Sequence, residues 1–484
     1  MSTKNHIPFK PLWRSLFAVL LIGLFLDLTP GTAPANGEGL ALDTFLNEDG
    51  TLNLPPEGIL GSLDPTGYQL VSTAGEPPRF APAEADAPDF GTDHANWDPR
   101  FNAPGTNDTV WAMAWDGTNL YIGGSFTTVG DVIANHIARW DGTTWSPLSS
   151  GIGSGLYDGV YALAWDGTNL YAGGSFTTAG GIPANFIARW NGTTWGALGT
   201  GMNNTVSTLI WDGTNLYAGG SFTTAGGITA NRIAHWNGTA WNALGVGMNS
   251  SVRALAWDGI NLYAGGLFTT AGGTAANYIA RWDSTAWSAL GTGLDATVKA
   301  LVHDGTNLYA GGQFTNAGGT TANHIAQWDG TAWSALGSGV DGPVEVLAWD
   351  GMGLYAGMDR DTAGGNPANF IARWDGVEWS TLGTGMDDTV LALIWDGTNL
   401  YAGGTFRHAG GIFAQNISLW DGTAWKVLSS GQGMPNTVNA LASDGMNIYA
   451  AGGGGLSYRW PHNIARWDGN TSAIPNLKKA GKIW

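Results

Sequence analysis

Short runs of β-forming residues, separated by turn-forming dipeptides, repeat along the chain from about residue 97. One copy contains the runs VYALAW, NLYAGG, NFIARW and TTWGAL, at residues 160–165, 169–174, 185–190 and 193–198. Apolar, β-branched and aromatic residues bounded by Gly, Asn and Asp are typical of short strands. Asp166-Gly167 separates the first two runs and Asn191-Gly192 the last two, and such dipeptides favour tight hairpins. Each copy is therefore predicted to form four antiparallel strands.

The copies follow one another at a nearly constant period. The tyrosine of the LYAGG element recurs at spacings of 50, 46, 46, 46, 46, 46 and 48 residues, at Tyr121, Tyr171, Tyr217, Tyr263, Tyr309, Tyr355, Tyr401 and Tyr449. A period of this length with four strands is characteristic of propeller blades. We therefore predict an all-β, eight-bladed β-propeller with four antiparallel strands per blade. Tight and long connections alternate, so tight turns are expected on one face and long loops on the other.

The last copy lacks a run with the second tryptophan. Residues 96–110 match the register of the missing run and the loop after it, with Trp97 in the place of Trp195. We predict that an N-terminal strand around Trp97 completes the eighth blade. This closure would cover two sheet edges.

The chain before the repeats differs in character. Lys4, Lys10 and Arg14 precede an apolar run at residues 16–26, and small residues follow, so residues 1–35 are predicted to be a secretory signal. The run is short for a membrane span, which makes an uncleaved anchor the less favoured alternative. We predict an acidic, Pro/Ala-rich leader or linker at 36–95, the propeller at 96–470 and a tail at 471–484. The protein is expected to be secreted, periplasmic or at the cell surface, with no membrane insertion after signal removal.

Composition excludes several kinds of chemistry. The 484 residues contain no cysteine, which excludes thiol catalysis and thiolate metal sites. The net charge of −18 comes without a basic stripe and argues against nucleic acid as a partner. No spacing matches a calcium loop or a histidine zinc site, and no helix is expected after the AGG loops that could help bind phosphate. We expect no metal, no cofactor and a monomer.

The repeat pattern GGxFTxAGGxxANxIAxWDGTxWxALGxGM resembles kelch-type propellers of the galactose-oxidase-like superfamily. It is similar to repeats of secreted bacterial proteins and of fungal cortical polarity markers at the cell surface. The resemblance covers about residues 93–470 and implies the fold, whereas propellers serve catalysis, lectin activity and scaffolding alike. A copper oxidase of the galactose-oxidase kind needs a Cys–Tyr cross-link, which this chain cannot form.

One position in the first strand differs in every copy, and we call these eight residues the slot residues. They are Trp111, Tyr161, Ser207, Arg253, Lys299, Glu345, Leu391 and Asn439. The first strand of a blade is innermost, so the slot residues are predicted to surround the central channel mouth on the long-loop face, with Asp387 and Asp388 from the preceding loop. Aromatic, cationic and carboxylate groups around one funnel suit a polar ligand such as a glycan. Unconstrained drift of a solvated rim is the alternative.

A second group of departures lies in the late repeats. The sixth copy replaces GSFTT with residues 358–362 and loses a phenylalanine that most other copies keep. The seventh and eighth copies bring further charged and aromatic residues into the same loop. The candidate side patch for a partner comprises Asp359, Arg360, Asp361, Arg407 and His408, with Tyr458, Arg459, Trp460 and His462 nearby. Decay of the late repeats is the competing interpretation.

These observations favour a non-catalytic protein that presents its long-loop face to a glycan or a protein at the cell exterior. No catalytic residue is assigned. The alternative is a carbohydrate-active enzyme: a glycosidase could pair Glu345 with Asp387 or Asp388. A lyase could instead use Tyr161, Arg253 and Lys299. A purely structural envelope component is the third reading. His303, which stands where most other copies have tryptophan, is predicted to be a packed or partly exposed substitute rather than a base.

Overall fold

The computed structural model describes residues 105–153, 155, 157–428, 433–453 and 463–467, with 40–41, 47, 63–64, 68–71 and 79–82. The chain divides into two units, residues 1–90 and 91–484. In the first unit, Leu40–Ala41 pairs in parallel with Leu63–Asp64, and Tyr68–Val71 pairs with Arg79–Pro82 in an antiparallel hairpin. The proposed signal lies outside the described residues. No helix in the described part of the chain is long and apolar enough to cross a membrane.

The second unit is an eight-bladed β-propeller, as predicted, and we number its blades 1 to 8 in chain order. Blades 1 to 7 are antiparallel sheets of four strands in sequence order, and three strands of blade 8 are described.

The first strands are Val110–Trp115, Gly159–Trp165, Val206–Trp211, Val252–Trp257, Val298–His303, Val344–Trp349, Val390–Trp395 and Val438–Ser443. The second strands are Leu120–Gly124, Leu170–Ser175, Leu216–Gly220, Leu262–Gly266, Leu308–Gly312, Leu354–Met358, Leu400–Gly404 and Ile448–Gly452. The third strands are Ile137–Trp140, Ile187–Trp190, Ile233–Trp236, Ile279–Trp282, Ile325–Trp328, Ile371–Trp374, Ile417–Trp420 and Ile464–Trp467. The fourth strands are Trp145–Pro147, Trp195–Ala197, Trp241–Ala243, Trp287–Ala289, Trp333–Ala335, Trp379–Thr381 and Trp425–Lys426.

The long connection between the second and third strands contains a hairpin of two short strands in blades 1 to 7. Their first strands are Thr128–Val129, Thr178–Ala179, Thr224–Ala225, Thr270–Ala271, Asn316–Ala317, Thr362–Ala363 and His408–Ala409. Their partners are Val132–Ile133, Ile182–Pro183, Ile228–Thr229, Thr274–Ala275, Thr320–Thr321, Asn366–Pro367 and Ile412–Phe413. The long-loop face is therefore built from regular structure.

The aspartate of the tight turn between the first two strands closes that turn with its side chain. In blade 2, Asp166 accepts hydrogen bonds from the backbone N–H of Thr168 and Asn169 at 2.7 and 2.6 Å, and from the hydroxyl of Tyr171 at 2.9 Å. Gly167 supplies the positive φ of 94°. Burial alone would raise the pKa of Asp166, but these bonds favour the carboxylate more strongly, and its pKa lies below the ordinary value. These aspartates are turn formers, as the sequence indicated.

The hydrophobic core lies between neighbouring blades. At the first interface, Tyr121 and Ile137 of blade 1 pack with Val160, Phe176 and Ala188 of blade 2, and equivalent residues fill the other interfaces. The Tyr121 ring also stacks on Trp165 of the next blade, with centroids 6.1 Å apart. Because each blade buries its apolar face only against a neighbour, the array is stable as a ring rather than as single blades.

In blades 2 to 7, the tryptophan of the fourth strand binds its blade to the preceding one. In blade 3, Nε1 of the buried Trp241 donates a 2.9 Å hydrogen bond to the backbone carbonyl of Leu198 in blade 2. We call this contact the tryptophan clasp. It recurs at 2.7–2.8 Å from Trp195, Trp287, Trp333, Trp379 and Trp425.

The ring closes between blades 8 and 1. Tyr449 of blade 8 stacks on Trp115 of blade 1 with centroids 6.0 Å apart, as the equivalent tyrosine and tryptophan do at five other interfaces. Asn463 Nδ2 also donates a hydrogen bond to the Thr106 carbonyl at 2.9 Å. The proposed closing strand around Trp97 lies outside the described residues and stays a prediction.

Candidate ligand-binding site at the channel mouth

Every slot residue is the extra residue of a β-bulge. In blade 2, Val160 pairs with Gly174 and Ala162 pairs with Gly173, so Tyr161 has no partner residue across the strand pair. The same register shift occurs at the slot of every other first strand. A bulge leaves one residue out of the ladder and turns its side chain away from the regular alternation. Each blade therefore has one slot residue that does not take part in strand pairing, which gives eight such positions in the ring.

Six slot residues line one open cavity of about 370 Å³ at the centre of the ring. They are Trp111, Tyr161, Ser207, Arg253, Leu391 and Asn439. The wall continues into the first strands through Ala112, Met113 and their counterparts. The structure thus brings these six residues together around the channel. Ligand binding there stays a prediction.

Two aromatic side chains of this cavity are well exposed. Trp111 is 45% and Tyr161 is 38% exposed, and they come from the adjacent blades 1 and 2. The Trp111 Nε1 donates a hydrogen bond to Ser125 Oγ at 3.3 Å, which helps to orient the indole. Exposed aromatic side chains in a concave site are typical of ligand contact.

The remaining two slot residues bind each other. Lys299 Nζ donates to Glu345 Oε1 in an ion pair between blades 5 and 6, and both side chains are mostly buried. Neither residue lines the cavity. The pair is electrically neutral, so this part of the ring offers neither a free carboxylate nor a free ammonium group. That arrangement favours neither the glycosidase role of Glu345 nor the lyase role of Lys299.

Asp387 and Asp388 support loops and do not line the cavity. The Asp387 carboxylate accepts the backbone N–H of Arg407 at 2.7 Å and of His408 at 2.9 Å, and its other oxygen lies 2.7 Å from His408 Nδ1. Burial raises the pKa of Asp387, but the hydrogen bonds from these donors lower it by more. The pKa of Asp387 is therefore below its ordinary value. Asp388 accepts the N–H of Thr389 at 2.7 Å. Asp387, which was predicted at the channel mouth, thus contacts Arg407 and His408 of the candidate side patch.

Blade 6 replaces the lost phenylalanine with another core residue. Met358 stands where most other blades have glycine, is fully buried, and belongs to the hydrophobic cluster that contains phenylalanine in the other complete blades. At the corresponding Gly124, a Cβ would lie 2.0 Å from the carbonyl oxygen of Thr109. The matching hydrogen bond in blade 6, from Asp359 N to Pro343 O, is 3.2 Å rather than 2.9 Å. The backbone hydrogen bond beside Met358 is therefore 0.3 Å longer than the equivalent bond of blade 1.

The exchange places a cation on the surface. Arg360 takes the sequence position of the phenylalanine but is exposed, and its aliphatic stem lies over Gly342, where a Cβ would meet Arg360 Cγ at 1.9 Å. Met358 thus takes over the core position, and Gly342 leaves space for the Arg360 side chain. Asp361 is also exposed, and its carbonyl accepts the N–H of Asn369.

In blade 7, His408 packs edge-on against the exposed Phe413, with ring centroids 5.7 Å apart, and Arg407 is exposed beside it. Residues 458–460 and His462 lie outside the described residues. Partner binding by the side patch stays a prediction.

His303 fills part of the space that a tryptophan occupies elsewhere. Its ring stacks on Tyr263 at 6.2 Å, and its Nδ1 accepts the N–H of Gly305 at 3.1 Å. A cleft of about 260 Å³, bounded by Asp258 and Trp328 among others, remains on the tight-turn face. His303 is thus a packing residue, as predicted. Among the described residues no group of three or more His, Asp or Glu is arranged to hold a metal ion.

One of two comparisons with solved structures supports the fold. The crystal structure of the computationally designed Ika8 protein matches with a TM-score of 0.52 and 17% identity, over 76% of this chain and 98% of that chain. The extracellular domain of a putative hybrid two-component system from B. thetaiotaomicron matches with a TM-score of 0.43 and 13% identity, over 77% of this chain and 39% of that one. No protein-family model matches the sequence, and no curated protein is significantly similar to it.

Proposed function

We propose that this protein is an exported, kelch-like propeller that binds a glycan at its channel mouth without transforming it. One observation carries the proposal: six residues that vary from blade to blade, each set free by a bulge, line a single open cavity. Variation concentrated at one concave site of a regular scaffold suits a recognition surface.

The chemistry of the cavity favours a sugar. The faces of Trp111 and Tyr161 carry negative charge density that attracts the polarised C–H groups of a pyranose ring. Ser207, Asn439 and Arg253 supply hydrogen-bonding groups from other blades around the same cavity. Two of the carboxylates that a glycosidase would need are otherwise engaged, Glu345 with Lys299 and Asp387 with the loop of blade 7. Binding without turnover is therefore the better-supported role.

The site of action follows from the N-terminal sequence. A basic segment, an apolar run and small residues at 1–35 support export. The resemblance of the repeats to secreted kelch-type proteins supports the same location. We propose that the long-loop face meets its glycan at the cell exterior.

A glycan array probed with the full-length protein tests this function. We expect retention of a restricted set of glycans and no released product by mass spectrometry. Trp111→Ala and Tyr161→Ala should each reduce retention. Ile260→Ala, which removes a 74% exposed apolar side chain from the tight-turn face, is the matched control and should bind like wild type. Equal loss in the control, or no retained glycan, contradicts the proposal, and product release indicates an enzyme.

A further inference from the structure

The charge of the channel mouth is unbalanced. Among the slot residues, the cations are Arg253 and Lys299, and the only acid is Glu345. The ion pair with Glu345 neutralises Lys299. Arg253 is exposed, lines the cavity, and forms no ion pair with any residue in the described part of the chain. Arg253 is therefore the one charged slot residue without an ion-pair partner in the described part of the chain.

This charge stands out because the chain is strongly acidic. Asp and Glu number 38 against 20 Lys and Arg. An exposed arginine in such a protein has many carboxylates available as partners, yet Arg253 faces an open cavity instead. Its planar guanidinium can bind a carboxylate through two parallel hydrogen bonds. The net charge of −18 repels long polyanions, so the ligand suited to this site carries an isolated acidic group.

The order of the slot residues puts the arginine within reach of the aromatic surface. Trp111, Tyr161, Ser207 and Arg253 come from the consecutive blades 1 to 4, and all four line the cavity. Ser207, which has a small side chain, lies between the aromatic pair and Arg253 in blade order. This half of the ring offers stacking at one end and a cation at the other.

We propose that the channel mouth recognises a sugar that carries a carboxylate, with the pyranose ring on Tyr161 or Trp111 and the acid on Arg253. This inference rests on the proposed glycan-binding function and names the chemical class of the ligand. Leu391 and the neutral Lys299–Glu345 pair of the other half ring add no second anion site. One terminal uronate, rather than a polyuronate, is the expected epitope.

Matched oligosaccharides of one linkage, ending in glucuronic acid or in glucose, test the inference by calorimetry on the full chain. We expect wild type to bind the glucuronate probe about 10-fold more tightly, as for one charge-assisted contact at an exposed site. Arg253→Gln should abolish this preference, because the glutamine amide can still form hydrogen bonds but carries no positive charge. Arg253→Lys should retain part of the preference, because it keeps the charge but loses the planar fork. Arg360→Gln, which removes an exposed cation from the same face, should retain all of it.

The outcomes separate the two proposals. If wild type binds both probes equally, the carboxylate assignment is wrong and glycan binding stands. If neither these probes nor any array glycan is bound, glycan binding itself is wrong, and the inference falls with it. Equal loss of preference in Arg253→Gln and Arg360→Gln would mean that overall charge, and not the Arg253 contact, sets the selectivity, which overturns the assignment.

Discussion

The tryptophan clasp is expected to hold neighbouring blades together, and Trp241→Phe tests its strength. The substitution keeps an aromatic ring at a site that is 5% exposed but removes the donor of the 2.9 Å hydrogen bond to Leu198. A buried carbonyl left without its partner costs about 1–3 kcal/mol. The smaller ring loses about 1 kcal/mol of apolar burial in addition. We therefore expect Trp241→Phe to lower the free energy of unfolding by about 2–4 kcal/mol.

Urea unfolding followed by circular dichroism measures this loss. For a protein of this size the m-value is at least about 3 kcal/mol/M, so the midpoint should fall by about 1 M or somewhat less. Trp111→Phe makes the same chemical change at a 45% exposed residue and should change stability by less than about 0.5 kcal/mol. If both variants unfold at the wild-type midpoint, the clasp does not stabilise the blade interface, and our reasoning from its geometry is refuted.

Three further predictions concern other parts of the ring. His303→Trp should restore the regular stack on Tyr263 and raise the urea midpoint, with a gain of about 0.5–1.5 kcal/mol; a lower midpoint would contradict this. Met358→Ala should cost about 2–4 kcal/mol in the same assay, because it empties a fully buried site, whereas Arg360→Ala should change stability by less than about 0.5 kcal/mol. Burial, chiefly, and the adjacent Asp258 and Asp350 raise the pKa of Tyr263 and Tyr355 to about 12. The folded state therefore holds these protons more tightly than the unfolded state, and stability should be complete below about pH 10 and decline towards pH 12. Phenolate absorbance from these tyrosines that appears near pH 10 in a fully folded protein would show that they are not protected.

Most of the fold could be predicted because its determinants are local and repeated. Asp166-Gly167 marks a tight turn, and the same signal in each blade leaves little freedom in the assignment of strands. The structure adds that the carboxylate of Asp166 closes the turn and receives the hydroxyl of Tyr171. Hairpins are specified by adjacent residues, so the sequence contained the information needed to find them.

The site was only partly predictable because it depends on register and on contacts between blades. Comparison of the copies located the slot, but the bulge that frees Tyr161 is a property of strand pairing, and pairing registers are not visible in one strand. The ion pair of Lys299 with Glu345 joins blades 5 and 6 and could be inferred only once neighbouring slots were known to touch. Asp387 was placed at the rim, whereas its carboxylate serves the loop of blade 7.

The replacement of phenylalanine by Met358 shows a different limit. The sequence indicates that a core residue is missing at Arg360, and the compensating side chain lies two residues earlier, at a position that is glycine in most other blades. No pattern within the repeat links the two positions. Only the packing of the cluster shows that they exchange roles.

The tryptophan clasp also has a direction. Blades 2 to 6 each contribute a donor to the blade before and an acceptor to the blade after, so the interface is head-to-tail, like that between the protomers of a cyclic oligomer. A contact of this kind has no natural end: it extends indefinitely unless the rotation at each step returns it to its start. The number of blades is then set by the rotation angle between neighbouring blades. The covalent chain ensures that each ring contains one copy of every blade.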